Sequence, residues 1–298
     1  MTENDFSQSE LVTLNQCPQK WFWQYGKQLK RRGMFNWNFE IGTAFHTFLE
    51  VHYKKLDCKI QTIFNPEIGV DVLRTAQFEK QFEFWKVVFP VMTRSYLRKY
   101  PREDFEVHTV EEIHSRTFMD INFRGKFDVR GMHNRHQMVL DHKSTSSLEP
   151  QGDKLHHKFQ FLFYFWLSEI PEGEFIVNYI KKPAQRMGKK ETDLDFTIRV
   201  RDEIADNPDD YFAREIVYFT AEEMQKFEKY VMIPKVAKLK MLLAAKPENA
   251  FIWTDRTLES CYNYNTPCTF IPLCFEDEAL ATIDYEPKTS KHEELKTE

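Results

Sequence analysis

Several long stretches of the chain repeat apolar positions with the spacing of an α-helix. Ser7 and Glu10 have the spacing of an N-terminal capping box, so a helix is predicted to begin near Ser7. Pro18 is placed to occupy the first turn of a second helix. Further helices are predicted at 40–56, at 73–100 with an interruption near Pro90, at 154–170 and at 221–246.

Between these helices the pattern changes to one that is typical of strands. A strand group is predicted at 105–118, 121–130 and 136–143, and a further strand lies in 174–183. The alternating segments 193–204 and 213–220 indicate additional strands or short elements. No linker is evident, so we expect one domain over 1–285. The segment 286–298 is charged and lacks phenylalanine, which predicts a disordered tail.

Composition restricts the class of protein. The chain has 298 residues, of which 42% are hydrophobic, and its 27 Phe and 6 Trp are sufficient for a sizeable core. The net charge of −5 argues against a polyanion binder that uses its whole surface, but allows a local basic groove. The polar N-terminus has no apolar signal core, and the longest apolar run, 161–167, is too short for a membrane span. We therefore expect a soluble cytoplasmic protein.

Two aspartates lie inside the strands of a predicted hairpin, where charged side chains need a reason. A turn centred on Asn134 and Arg135 would place Asp128 opposite Asp141, and Lys143 would share the face of Asp141. Two carboxylates suit a hard cation such as Mg²⁺ or Mn²⁺, and an ammonium group beside them can stabilise negative charge in a transition state. The same pattern also fits an ion pair on the surface of the hairpin. The hairpin taken alone leaves both interpretations open.

The segment "GKFD" and the later "DHK" resemble the G-x-x-D and D-x-K motifs of the PD-(D/E)XK nuclease superfamily, in its RecB-like branch. The chain contains other marks of this branch in the same order. "GTAFH" matches its helical G-x-x-x-H, and "HHKFQFLFYFW" contains its Q-x-x-x-Y. The resemblance implies an α/β fold, in which helices flank a central mixed β-sheet that forms a restriction-endonuclease-like core.

The resemblance also implies roles for individual residues. The metal ligands would be His46, Asp128, Asp141 and the backbone carbonyl of His142. Lys143 would assist catalysis directly, and the support around the metal would come from Glu112, Gln160 and Tyr164. The acidic residue on the preceding strand is either Glu111 or Glu112, which face opposite ways, and the family pattern favours Glu112.

Gln160 and Tyr164 belong to a polar stripe on a helix that is otherwise almost entirely apolar. His156, Gln160, Tyr164 and Ser168 follow one another at intervals of four residues, which places them along one side of a regular helix. Buried polar groups need hydrogen-bond partners. Either a substrate and active-site network or the neighbouring backbone would supply them.

The cysteines form a second pattern. Cys17 lies in a C-P segment near the N-terminus, and Cys261, Cys268 and Cys274 follow with the spacing C-x6-C-x5-C. This set resembles the iron–sulfur clamp of AddB-type and CRISPR-associated RecB-like nucleases, which implies a [4Fe–4S] cluster that joins the N- and C-terminal segments. The family's commonest trio is C-x2-C-x5-C, and the longer first gap leaves a structural Zn²⁺ site open as the alternative. Cys58 matches nothing and is interpreted as an ordinary thiol.

Two basic segments are candidates for contact with phosphates. The first is 27–32. The second is the loop 181–190, which the nuclease resemblance favours, with Lys181, Lys182, Arg186, Lys189 and Lys190 as its candidate residues.

Taken together, these features predict a Mg²⁺- or Mn²⁺-dependent deoxyribonuclease that acts as an exonuclease on DNA ends in replication, recombination or repair. The chain has no G-x-x-x-x-G-K-[ST] motif, so any helicase motor would belong to a partner protein. One alternative is a DNA-binding subunit of a recombination or repair complex that keeps the nuclease fold without catalysis. Another is a protein in which only a structural cysteine site matters.

Overall fold

A computed structural model describes residues 5–56, 63, 64, 66, 74–244, 256–263, 266–276, 282–292 and 295. Cys58 lies outside the described residues, so its interpretation stays a prediction. None of the helices in these ranges combines the length and the apolar character needed to cross a membrane.

Helices and strands alternate along most of the chain. The helices are α1 (Gln8–Gln16), α2 (Pro18–Trp21), α3 (Trp37–Tyr53), α4 (Ala76–Lys99), α5 (Phe159–Leu167), α6 (Asp193–Asp206), α7 (Ala221–Phe227), α8 (Ile233–Ala244) and α9 (Ile271–Phe275). The strands are β1 (Asp5–Ser7), β2 (Leu29–Arg31), β3 (Glu106–Phe118), β4 (Ile121–His133), β5 (His136–Thr145), β6 (Gly173–Lys181), β7 (Phe212–Phe219), β8 (Tyr262–Asn263), β9 (Thr266–Pro267) and β10 (Tyr285–Pro287).

The central sheet is mixed, as the sequence predicts. Its strand order is β1-β4-β5-β6-β7, and β3 also pairs with β4. Strand β3 follows nearly the whole of β4, so β1 and β5 share the opposite edge of β4, each along a different part of it. The β1–β4 and β5–β6 pairs are parallel, and the others in this sheet are antiparallel.

The core consists of two apolar clusters. Adjacent residues of the central strands belong to different clusters, as Val139 and Leu140 do on β5 and Phe175 and Ile176 do on β6. Because successive side chains of a strand point to opposite faces, the clusters lie on opposite faces of the sheet. Helices α1, α5 and α8 cover one face, and α3, α4 and α6 cover the other. This confirms a central sheet flanked by helices.

Segment 193–204 is a helix and not the strand or short element that the sequence indicates. Its alternation of polar and apolar residues imitates a strand, but Thr192 caps a helix by accepting the N–H of Asp195 at 3.2 Å. The helical spacing buries Val200 and Ile204 and leaves Leu194 exposed. The alternation therefore does not reflect a sheet with one buried face.

Helix α4 also differs from its prediction, because it continues through Pro90 without interruption. A proline inside a helix removes one hydrogen bond and favours a break. Here Phe89 and Val91 on either side are buried in the core, and we attribute the continuity of α4 to this packing.

The expected disorder of 286–298 is wrong for the residues that the structure describes there. Strand β10 pairs with β2, and His292 is only 1% exposed. Glu10 is fully buried, and its carboxylate lies 3.1 Å from both the Lys291 ammonium and the His292 ring and accepts the Trp21 indole N–H at 2.9 Å. A buried carboxylate needs such partners. The composition of segment 286–298 indicates disorder, but the contacts of Lys291 and His292 with Glu10 fix its described residues against α1.

We predict that Glu10→Ala lowers the free energy of unfolding by about 3 kcal/mol, because it leaves the Lys291 ammonium buried without its carboxylate. Urea denaturation measures the change. Lys54→Ala is the matched control, since it removes an exposed ion pair with Glu50 on α3 and should change stability by no more than about 0.5 kcal/mol. Equal effects of the two substitutions would contradict the role of Glu10 in fixing the tail.

Candidate metal centre

The candidate site lies where strands β4 and β5 separate. The hairpin turn falls on Asn134 and Arg135 with φ angles of 47° and 69°, as the predicted register requires. The regular pairing ends at Val129 and Leu140, one step before Asp128 and Asp141. At this fork the Asp128 Oδ2 atom accepts the backbone N–H of residue 142 at 2.6 Å. The carboxylate of Asp128 thus replaces a ladder bond and is fixed between the strands.

Helix α3 brings His46 to this fork. The Asn36 side chain caps the helix by accepting the N–H of residue 38. Gly42 faces β5 at a point where a Cβ atom would lie 3.4 Å from Ser144 Oγ, which is an ordinary van der Waals distance. His46 Nδ1 then lies 3.2 Å from Asp128 Oδ1.

Strand β3 contributes Glu111 and not Glu112. Within the described ranges, His46, Glu111 and Asp128 are the only group of His, Cys, Asp or Glu residues in which three ligand atoms all lie within 4.8 Å of one another. Glu111 has a φ of 55°, a left-handed conformation that interrupts the strand opposite Asp128. The Glu112 carboxylate instead pairs with His114 at 3.0 Å. The local backbone geometry thus places Glu111, and not Glu112, beside Asp128.

Asp141 and Lys143 form an ion pair at the other side of the fork. The Lys143 ammonium lies 2.7 Å from Asp141 Oδ2, and Asp141 is buried. The side chain between them, His142, packs against the ring of Tyr53, which lies in the core cluster of α3 and α4. The His142 ring also meets the His46 ring edge to face, with 5.7 Å between centroids. The backbone carbonyl of residue 142 as a metal ligand stays a prediction.

The electrostatics of the site reflect several acidic groups in a small volume. Burial works against a charged His46, but the charges of Asp128, Asp141 and Glu111 outweigh it and raise the pKa of His46 to about 9. Burial favours a neutral Asp128, yet His46 and the N–H of residue 142 hold the pKa of Asp128 well below its usual range. Burial raises the pKa of Asp141, with a further contribution from Asp128 that Lys143 only partly offsets. Oxygen and imidazole ligands with this negative charge fit Mg²⁺ or Mn²⁺.

The pKa values of Glu111 and His142, which lie beside Asp128 and Asp141, are also shifted. Burial and the charge of Asp128 raise the pKa of Glu111, against the pull of Lys126, with which it forms an ion pair. Lys126 was not singled out from the sequence. It stands two positions before Asp128 on β4, which in a strand places it on the same face, and that spacing is the signal that identifies it. Burial lowers the pKa of His142 to about 3, so its imidazole is neutral.

The four residues of the predicted polar stripe do not all lie on one helix. His156 lies on a separate 3₁₀ turn and contacts Glu223 at 3.0 Å, while the Ser168 hydroxyl donates to a backbone carbonyl of its own helix. These two ends of the stripe have structural partners. Tyr164 packs against the ring of Phe127, the residue before Asp128, with 5.9 Å between ring centroids. Gln160 is half-buried and has no hydrogen bond within the part of the chain that the structure describes.

The four candidate cysteines line one small cavity between the N- and C-terminal segments. Burial raises the pKa of Cys261, with contributions from Cys268 and Cys17, and burial also raises the pKa of Cys274. Among the described residues, no three of these sulfur atoms lie within 4.8 Å of one another. The joining of the chain ends at a cysteine cluster therefore stays a prediction.

The two basic segments differ in how far their charges are neutralised. Segment 27–32 lies against the C-terminal strand, where the Lys30 ammonium lies 3.3 Å from Glu286 and Arg32 donates to the carbonyl of residue 285. Loop 181–190 follows β6, and its Lys189 and Lys190 are exposed. The N–H of residue 182 donates to the carbonyl of residue 145, so the loop starts beside the end of the strand that carries Lys143.

Comparison with known proteins gives one broad match. The family model described as PD-(D/E)XK nuclease superfamily matches residues 5–232. No curated protein matches the chain significantly. The solved structure of the protein SSO0001 is 16% identical and aligns over 68% of this chain and 76% of that chain, with a TM-score of 0.25. This structural likeness is too low to carry an argument about the fold or the site.

We predict that Glu111→Gln weakens Mn²⁺ binding by at least about tenfold, because it removes a charged oxygen from the group around Asp128. Isothermal titration of the metal-free protein with Mn²⁺ measures the affinity. Glu112→Gln is the matched control, one residue away on the same strand, and should bind Mn²⁺ as the wild type does. A loss confined to the Glu112 variant would show that the placement of these two carboxylates is wrong.

Proposed function

This chain belongs to the PD-(D/E)XK nuclease superfamily, and we propose on that basis that it is a divalent-metal-dependent deoxyribonuclease that acts as an exonuclease on DNA ends. The observation that carries the proposal is the convergence of His46, Glu111 and Asp128 beside the Asp141–Lys143 ion pair. A surface ion pair on a hairpin does not account for an imidazole–carboxylate group contributed by three separate elements, in which Asp128 is buried and His46 and Glu111 are half-buried. Replication, recombination and repair are the processes that use such an activity.

Each residue of the proposed site has a defined task. His46, Glu111, Asp128 and Asp141 would hold Mg²⁺ or Mn²⁺, with the carbonyl of His142 as a further ligand. A bound ion would act as a Lewis acid and would lower the pKa of a coordinated water. The Lys143 ammonium, held in place by Asp141, donates hydrogen bonds to the phosphate oxygen as negative charge develops there.

Helix α5 supports this arrangement from the side of β4. Gly125 allows the close approach of the helix, since a Cβ atom there would lie 3.2 Å from the ring of Tyr164. We propose that the amide of Gln160, which has no hydrogen-bond partner within the described chain, orients the substrate or a water molecule at the site. Tyr164 would fix the position of the helix against Phe127.

The loop 181–190 is the candidate path for the DNA backbone. It begins beside the end of the strand that carries Lys143 and presents exposed ammonium groups, of which Lys189 and Lys190 are the most accessible candidates. The Lys182 ammonium is directed to the Asn38 side chain at the start of α3, at 2.8 Å. The cations of this loop would contact the phosphate backbone of DNA that reaches Lys143.

We propose further that Cys17, Cys261, Cys268 and Cys274 bind a [4Fe–4S] cluster. Their common cavity supports a shared site. A tetrahedral four-thiolate Zn²⁺ site requires sulfur atoms about 3.8 Å apart, as follows from Zn–S bonds of about 2.3 Å. No three of the described sulfur atoms lie within 4.8 Å of one another, so the four are not arranged as a single tetrahedral Zn²⁺ ion would hold them. The cluster would link the N-terminal and C-terminal segments of the chain.

We predict that Asp128→Asn and Asp141→Asn each abolish DNA cleavage, because each removes a charged ligand, while Lys143→Ala loses turnover and retains DNA binding. End-labelled linear DNA and circular DNA, each with Mg²⁺ or Mn²⁺, are the substrates. Cleavage of the linear form alone supports the exonuclease mode. Asp120→Asn is the control, since Asp120 is exposed at the β3–β4 turn and pairs only with Lys240 among the described residues. Wild-type protein that binds DNA without metal-dependent cleavage would favour the catalytically silent subunit.

We predict that Cys17→Ser releases metal as completely as Cys274→Ser, although most of the chain separates them, because one site needs all four thiolates. Iron, sulfide and zinc analysis after anaerobic purification measures the content, and Cys58→Ser is the control. Both variants should also unfold more readily, since the metal contributes to folding free energy. Zinc without sulfide would identify the alternative ion, and metal content unaffected by Cys17→Ser would refute the shared site.

A further inference from the structure

A row of polar side chains crosses three strands of the sheet behind the metal centre. His142 on β5, Asn178 on β6 and Arg214 on β7 are direct cross-strand neighbours. His142 is 3% exposed and Asn178 is fully buried. Buried polar groups are unfavourable unless they are hydrogen-bonded, so this row has to be satisfied internally.

The hydrogen bonds of the row have a fixed direction. Arg214 can only donate, and its Nε–H donates to Asn178 Oδ1 at 3.3 Å. The amide nitrogen of Asn178 therefore faces the other way and donates to His142 Nδ1 at 2.9 Å and to the Tyr96 hydroxyl at 3.1 Å. Because Nδ1 of the neutral His142 ring accepts a hydrogen bond, its proton lies on Nε2. Arg214 thus sets the tautomer of a histidine two strands away.

The row closes into a ring that includes helix α3. Arg214 also donates to the Tyr96 hydroxyl at 2.9 Å. That oxygen accepts from both Arg214 and Asn178, so its own proton is directed to the Tyr53 hydroxyl, 3.3 Å away. The ring of Tyr53 stacks on that of His142 with 5.7 Å between centroids and 3° between planes. The five side chains form a closed circuit between α3, α4, β5, β6 and β7.

The guanidinium of Arg214 is itself held firmly. Its NH1 atom lies 2.6 Å from a Glu103 oxygen, and its plane lies over the ring of Tyr100 at 3.9 Å. The circuit therefore has an anchor with a fixed fork geometry, which a lysine would not provide.

The circuit joins the two elements that supply the metal centre from opposite sides. Helix α3 carries both Tyr53 and His46, and β5 carries both the His142 side chain and the N–H that holds the Asp128 carboxylate. We propose that Arg214 and Asn178 are positioning residues for the metal centre, which lock α3 against β5 and so fix the spacing of the ligands. The relevance to catalysis rests on the proposed function, but the coupling to metal binding is a property of the fold.

The test uses full-length protein in its metal-free form with ¹⁵N-labelled histidine. Asn178→Leu and Arg214→Met each remove one member of the circuit. Tyr96→Phe removes only a hydroxyl group, so it provides the test if the two larger changes prevent folding. Arg116→Met is the matched control. Its guanidinium also pairs with a carboxylate, Glu228, and lies over a ring, but it has no contact with the circuit.

Nitrogen NMR reads the tautomer of His142, assigned with a His142→Gln variant, and calorimetric titration reads the affinity for Mn²⁺. We expect Nε2 to carry the proton in the wild type. In Asn178→Leu and Arg214→Met we expect protonation at Nδ1 or a mixture of tautomers, with Mn²⁺ affinity reduced about ten- to hundredfold. Tyr96→Phe should show a smaller loss of affinity, and Arg116→Met should lose stability alone.

Folded Asn178→Leu and Arg214→Met variants with wild-type Mn²⁺ affinity would overturn the inference. If these two variants do not fold, unchanged affinity in Tyr96→Phe would overturn it as well. An equal loss in Arg116→Met would do the same, because it would show a general effect of destabilisation. Neither readout uses DNA, so failure of the nuclease assignment is recognised separately, as Mn²⁺ binding without cleavage by the wild type.

Discussion

Buried negative charge at the fork between β4 and β5 is the constraint on which the rest of this structure depends. Ligand atoms of His46, Glu111 and Asp128 lie within 4.8 Å of one another, and the buried carboxylate of Asp141 adds a further negative charge beside them. Charges in such a place are stable only when they are paired or when they bind a cation. His46, Lys126 and Lys143 supply such partners within the protein itself, and a divalent cation bound among the carboxylates can take over this role.

Each of these compensating groups comes from a different element, so the site exists only when the elements are correctly packed. Helix α3 packs against strand β5, and Gly42 faces Ser144 where the two elements meet. On the same face of the sheet, aromatic and amide groups join these two elements through Tyr53 and Asn178. Rigid support of this kind is what keeps metal ligands at a constant spacing.

The two ends of the chain are held against this core by separate contacts. Strand β10 forms a small antiparallel sheet with β2. The buried carboxylate of Glu10 forms a salt bridge with the Lys291 ammonium. The cysteine-lined cavity lies between the same terminal regions. A cluster bound there would act together with the salt bridge and with the apolar packing of Phe270, Leu273 and Tyr285 in the core to fix the N-terminal helices and the C-terminal segment.

Much of the site was determined by the sequence alone, because its information is local. The spacing of Asp128 and Asp141 about a two-residue turn predicts their register, and motif order identifies the superfamily and His46. Tertiary structure decided what depends on backbone geometry and on contacts between distant segments. A left-handed residue selects Glu111 over Glu112, and a capped helix replaces the strand suggested by the alternation in 193–204. The network behind His142 joins residues far apart in the chain, and no local pattern marks them, because hydrogen-bond partners across a sheet are chosen by the fold and not by sequence spacing.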